Sequence, residues 1–196
     1  MATAAGVASN LGLMRLGLVA DIVAFMCDAG VAVLLYVLLK PSAPVLALFA
    51  MVFRLIAHPA IAMLNLVNHW AASAILDASG SFGGMGAGSQ HALSLFFLEA
   101  HTTGYLLAGA FFGVSLIMLG LLLSRSGRFP VVLGWLVLVA GCGYLLETFG
   151  MFLAPEGESI YTGVVTLTAV IGEMGLSLWL IVKGIGSPIK SGPSSS

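Results

Sequence analysis

The strongest constraint on this chain is a series of long apolar stretches with almost no room for anything between them. Five segments reach or exceed the roughly 20 residues that a helix needs to cross the hydrocarbon core of a bilayer. They run from about Leu16 to Leu39, Val45 to Trp70, His91 to Leu123, Pro130 to Leu153 and Ser159 to Lys183. Only 8% of the 196 residues are charged and 60% are hydrophobic. About a quarter of a soluble domain is charged, so a water-soluble chain of this composition could not cover its own surface. The fold class predicted is therefore all-α, a polytopic membrane bundle of five transmembrane helices. The first stretch runs well beyond the core of a cleavable signal, and only Arg15 precedes it as a basic residue.

The punctuation between segments agrees with this reading. Lys40-Pro41 stops the first helix, because proline has no donor and restricts its predecessor. The glycine-rich run Asp77 to Ser89 predicts a mobile connection. The third helix is longer than the hydrocarbon core and must tilt, kink or project. Pro130 suits the first turn of the fourth, Ser159 the N-cap of the fifth, and Lys183-Gly184 its carboxyl end. Residues 1–186 then form one transmembrane domain, with 187–196 a disordered cytoplasmic tail. Lys40, Arg125, Arg128, Lys183 and Lys190 share one side; Arg15, Asp77, Glu156 and Glu158 share the other. The positive-inside rule makes the first side cytoplasmic, with the N-terminus outside, in a cell or inner membrane. Trp70 and Tyr161 fit the outer boundary as aromatic anchors and Phe129 the inner one.

Ionisable residues inside the spans carry what functional signal there is. A charge at the centre of a spanning helix costs roughly 2.5–3.5 kcal/mol on insertion scales. Asp21 and Asp28 share a face of the first helix. Arg54, His58, Asn65, Asn68 and His69 form a stripe along the second, and it should face the bundle. His91, Glu99 and His101 lie on the third helix, Glu147 on the fourth and Glu173 on the fifth. Depth counting places Asp28, Arg54 and Glu173 near the middle, and Asp21, His58, Glu99, His101 and Glu147 in the outer half. An arginine cannot shed its proton, so Arg54 is expected to pair with Asp28 or Glu173.

Three readings of this polar set stay open. It can simply hold helices together. It can line a cavity that binds or conducts a proton or small molecule. Or His58, Glu99, His101 and Glu147 can ligate a metal in an intramembrane enzyme, although no HExxH-type signature supports that. No cofactor is predicted. Cys27 and Cys142 read as small buried hydrophobes. Gly109 and Gly113 read as a small-xxx-small packing step, and Pro59 predicts a kink. Nothing resembles a phosphate loop, a GxSxG elbow or a nucleic-acid-binding pattern. The partners expected are the lipid bilayer and a membrane protein or second copy of the chain.

The runs RLGLVADIVAFMCDAGVAVLLYVLLKP, FFLEAHTTGYLLAGAFFG, RSGRFPVVLGWLVLVAGCGYLLE and GEMGLSLWLIVKG, with the FRL of the second helix, resemble an uncharacterised bacterial membrane family, the domain of unknown function 4386. The resemblance spans about Leu11 to Gly184. It implies a multi-pass helical membrane protein and no particular activity. Its members carry a further hydrophobic helix before the Arg15 region, which implies a six-helix bundle that here lacks its first helix. A partner is one candidate to cover that place. The function expected is a non-enzymatic membrane component or accessory subunit, with a transporter or binder and a metal-dependent enzyme as alternatives.

Overall fold

The computed structural model describes residues 11–77 and 80–186. Among them are five helices long and apolar enough to cross a membrane. The first span is α1, Leu11–Leu39. The second joins α2, Pro44–Leu55, to α3, Met63–Leu76, through a wide π turn at Ile56–Ala62. The third is α4, Ala87–Arg125, and the fourth α5, Val131–Leu153. The fifth opens with a 3-10 turn at Pro155–Gly157, continues as α6, Glu158–Ala169, widens into a π turn at Val170–Met174 and ends as α7, Gly175–Gly186. The chain is an integral membrane protein.

Local chemistry explains most boundaries. Pro44 occupies the first turn of α2, where its missing donor is no loss. Pro130 stands one position earlier than expected, as the residue that caps α5 rather than in its first turn. Gly127, with φ of 66°, supplies the left-handed turn between α4 and α5. Ser159 does not cap the fifth span: the 3-10 turn starts the helix earlier and Gly157 takes that place. Lys183 stands in the last turn of α7 as expected, with the helix described to Gly186. Lys190 and the expected tail lie outside the described residues.

Antiparallel connections give the bundle two ends. Lys40, Arg125, Arg128 and Lys183 mark a basic end, tied together where Arg128 donates to the Leu38 carbonyl at 3.0 Å. Asp77, Glu156 and Glu158 mark an acidic end, where Arg15 meets Asp77 at 2.8 Å. At roughly 1.5 Å per residue the first three spans are about 44, 50 and 58 Å long. They exceed a core of about 30 Å, so with the basic end fixed at one boundary they project beyond the other.

Packing is tightest between the third and fourth spans, where glycines face each other's backbone. A Cβ on Gly113 would lie 2.8 Å from the Gly141 carbonyl oxygen, and one on Gly141 2.5 Å from that of Gly113. Gly120 and Gly134 repeat the reciprocal contact at 2.5 and 2.7 Å. Such approach lets backbones touch where lipid offers no hydrophobic drive. Ser115 donates to the Ala50 carbonyl and Thr148 to the Leu106 carbonyl, each at 2.9 Å. Phe129 is buried against Trp179, ring centroids 4.4 Å apart, so it is a core residue and not an interfacial anchor.

The spans do not close into a ring. The first packs along the second and the fifth along the fourth, while the first and fifth share at most a point contact. Large apolar side chains face outward along every span. Cys27 and Cys142 are free and exposed on that outer surface, not buried as their apolar surroundings suggested. A cysteine is apolar enough to face lipid as readily as core.

Candidate functional site

Two polar clusters occupy the bundle, one nearer its basic end and one toward the acidic end. In the deeper cluster α1 supplies Asp28, α2 supplies Arg54, and the π turn supplies His58. Arg54 donates from Nε to Asp28 Oδ1 at 2.9 Å and from a terminal nitrogen to the same oxygen. His58 Nδ1 lies 3.0 Å from Asp28 Oδ2, so both carboxylate oxygens are engaged. The pair is nearly enclosed, with 13% and 14% of the Arg54 and Asp28 side chains exposed. Of the two carboxylates open to Arg54 on sequence grounds, Asp28 is the one it meets.

Aromatic rings wall this cluster. Arg54 lies over the Phe112 ring, 4.9 Å from its centroid, in cation–π geometry. His58 is held between Phe25, at 5.6 Å, and Phe112, at 4.5 Å. The π turn that presents His58 has Pro59 inside it. Proline removes one helical donor, and here the turn widens: the Met63 N–H reaches back five residues to the His58 carbonyl. The kink expected at Pro59 thus takes the form of a π turn.

Glu173 approaches from the opposite wall, also within a π turn. It accepts a hydrogen bond from the Tyr144 hydroxyl at 3.0 Å. Gly172 beside it is buried against the fourth span, where a Cβ would come 2.7 Å from the Leu136 carbonyl oxygen. Arg54 and Glu173 line one cleft of about 70 Å³, with Val31, Leu35 and Ser177 on its walls. It lies between the first and fifth spans, is large enough to admit water, and sits about 15 Å along the bundle from the basic end.

The second cluster gathers residues of the first three spans. Asn65 donates to the His101 carbonyl at 2.6 Å and lies 3.2 Å from His101 Nδ1. Asn68 donates to Asn65 Oδ1 at 2.9 Å. The His69 and His101 rings meet edge-on at 5.1 Å, and His101 meets Tyr105 at 4.8 Å. The Tyr105 hydroxyl lies near the Asp21 carboxylate. Asn65 fits because Gly104 opposite has no side chain: a Cβ there would fall 2.2 Å from Asn65 Oδ1. His69 Nδ1 is buried with no hydrogen-bond partner among the described residues.

The remaining ionisable residues stand apart. Glu99 is exposed on the outside of α4 rather than facing the bundle. Its position about 39 Å from the basic end, past the hydrocarbon core, removes the cost that would have turned it inward. Glu147 accepts from Thr162 at 3.3 Å at the seam of the fourth and fifth spans. The metal set proposed from sequence is therefore dispersed: His58 lies with Asp28, His101 with Asn65, and Glu99 and Glu147 with neither. Among the described residues no group of three or more His, Cys, Asp or Glu could hold a metal ion.

Sequence reasoning missed Tyr144, which looks apolar in a hydrophobic run yet places its hydroxyl against Glu173, and Tyr105, whose ring meets His101. It also missed Gly104 and the π turn at Val170–Met174. Gly172 was the one available cue for that turn.

Comparison with other proteins identifies a family without an assigned chemistry. Residues 1–184 match the family described as "Domain of unknown function (DUF4386)". A protein of Archaeoglobus fulgidus, described as an uncharacterized protein, is 29% identical over 160 residues, covering 80% of this chain and 76% of its own length. No solved structure matches.

Proposed function

Because the chain belongs to the domain of unknown function 4386 family, whose name assigns no chemistry, we propose from its own geometry that it binds and carries a proton or a small protonatable solute at mid-membrane. One observation carries this reading: Arg54 and Glu173, from opposite walls, line a single cleft large enough for water, about halfway through a hydrocarbon core measured from the basic end. A purely structural set of charges would pair off with no space between them. Asp28 and Arg54 do pair, but Glu173 faces the cleft with a tyrosine hydroxyl as its polar partner. The second and fifth spans widen into π turns at His58 and Glu173, a form frequent at functional sites.

The residues divide the work. Arg54 keeps its charge and holds Asp28 in place. With its proton on Nδ1, His58 can give it to Asp28 Oδ2, 3.0 Å away, while its other ring nitrogen accepts one from a hydronium ion, which leaves as water. The ring then regains its starting charge and Asp28 becomes neutral. Glu173 is the second carboxylate able to take up a proton across the cleft. By the positive-inside rule the basic end faces the cytoplasm.

Purified protein in sealed vesicles, driven by a potassium diffusion potential and followed with a lumenal pH dye, tests this. The account expects proton entry above that of protein-free vesicles, reduced at least ten-fold by Asp28→Asn or Glu173→Gln. Entry no faster than in protein-free vesicles sinks the reading.

A second reading has its own support. Among the described residues the first and fifth spans share at most a point backbone contact, which fits an accessory component whose partner covers the seam between them. Copurification of a stoichiometric membrane partner, with no proton entry, favours it.

A further inference from the structure

Between the two polar clusters lies a thin apolar layer with one large ring across it. Phe25, 7% exposed, packs with Ala62, Leu66 and Ala108 in a small core separate from the main one. Its ring stacks on His58 on one side, with 19° between planes, and lies 6.1 Å from the Tyr105 ring on the other. Ala62 and Ala108 are too small to fill the space alone, so closure falls on Phe25 together with Leu66 and the partly buried Ile22, Ile61 and Met63 packed against it.

Depth gives this arrangement a direction. Counting from the basic end at about 1.5 Å per residue, Asp28 and Arg54 lie about 15–17 Å in and Phe25 and His58 about 21 Å. Asp21, Asn65, Tyr105, His101 and His69 lie at about 27–38 Å, at or beyond the far edge of the hydrocarbon core. Farther out, Arg15, Asp77, Trp70 and Ser73 line an open pocket of about 440 Å³. Polar groups thus run inward from the acidic end as far as Asp21, and the Phe25 ring, level with His58 and stacked on it, stands between Asp21 and Asp28 along α1.

We propose that the cluster of Asp21, Asn65, His69, His101 and Tyr105 is the aqueous entrance to the mid-membrane site, and that Phe25 is its closed barrier. This deepens the proton-binding reading by naming the route to the same residues. Water reaching His58 must pass the ring, either by rotation of Phe25 or by movement of α1 against the π turn. The buried, unpartnered Nδ1 of His69 is a ready hydrogen-bonding point for water in the entrance.

The test reads access and not transport, so it can fail while vesicle proton entry stands, and the reverse. In a Cys27→Ala/Cys142→Ala background, His101→Cys and His58→Cys are exposed to a charged methanethiosulfonate in unsealed membranes. His101→Cys is expected to react at least ten times faster than His58→Cys. Adding Phe25→Ala is expected to raise the His58→Cys rate at least ten-fold, while Phe25→Leu, which keeps most of the bulk, changes it less than three-fold. Equal rates at the two cysteines, no reaction at His101→Cys, or no effect of Phe25→Ala would overturn the proposal. If His58→Cys does not fold, carbethoxylation of the native histidines by diethyl pyrocarbonate, read by peptide mass, replaces it. His101 should then be modified in both forms and His58 only with Phe25→Ala; modification of His58 in the native protein, or in neither form, contradicts the barrier.

Discussion

At the scale of single residues, the deep ion pair has the clearest energetic consequence. Removing one partner of a buried pair strands the other and costs far more than the pair contributes. Asp28→Ala is therefore expected to destabilise the protein on the order of 3 kcal/mol, because Arg54 remains charged beside Phe112. The double variant Asp28→Leu/Arg54→Leu should recover most of that loss, since it leaves no charge behind. Unfolding in mixed micelles measures both; a double variant less stable than Asp28→Ala contradicts the assignment. Much of this cluster is legible in the sequence. Counting residues from each boundary puts Asp28, Arg54 and Glu173 at one depth, and arginine's permanent charge demands a carboxylate. Which carboxylate it meets is not legible, because the choice depends on helix rotation and on the π turn around Pro59. Tyr144 escaped notice because a tyrosine in a hydrophobic run gives no sign of where its hydroxyl points.

At the scale of elements, the third and fourth spans are fixed by what their glycines allow. Gly113 and Gly141 face each other's carbonyls below normal Cβ contact, so a side chain there must push the helices apart. Gly113→Leu should cost at least about 1–3 kcal/mol, the range for overpacking, and should lower the melting temperature in detergent. Gly163 is the control, with nothing within 4 Å of an added Cβ. Gly163→Ala should be neutral or stabilise by up to about 1 kcal/mol through helix propensity. Equal losses at the two sites would refute the packing account. The Gly109-to-Gly113 step is visible in sequence as a small-residue spacing, and Gly113 does take part. Gly120, Gly134 and Gly141 were not singled out, because reciprocity between two helices cannot be seen from either alone. The start of the fifth span illustrates the same limit. Ser159 has the chemistry of a cap, yet the Pro155–Gly157 turn begins the helix before it.

At the scale of the whole molecule, the sequence determines a bundle in lipid with two differently charged ends, because composition and span length leave no other solvent for these helices. It does not determine that the bundle is open between its first and last spans. Glu173 lines a cleft with a tyrosine hydroxyl as its partner, while both Asp28 oxygens are engaged by Arg54 and His58, and the functional account depends on the contrast. Hydrophobic carbodiimides modify carboxyl groups within membranes, so labelling by dicyclohexylcarbodiimide followed by peptide mass analysis reads it directly. The account predicts modification at Glu173 in the native protein and at Asp28 only after Arg54→Gln. Modification of Asp28 in the native protein, with Glu173 untouched, would contradict it.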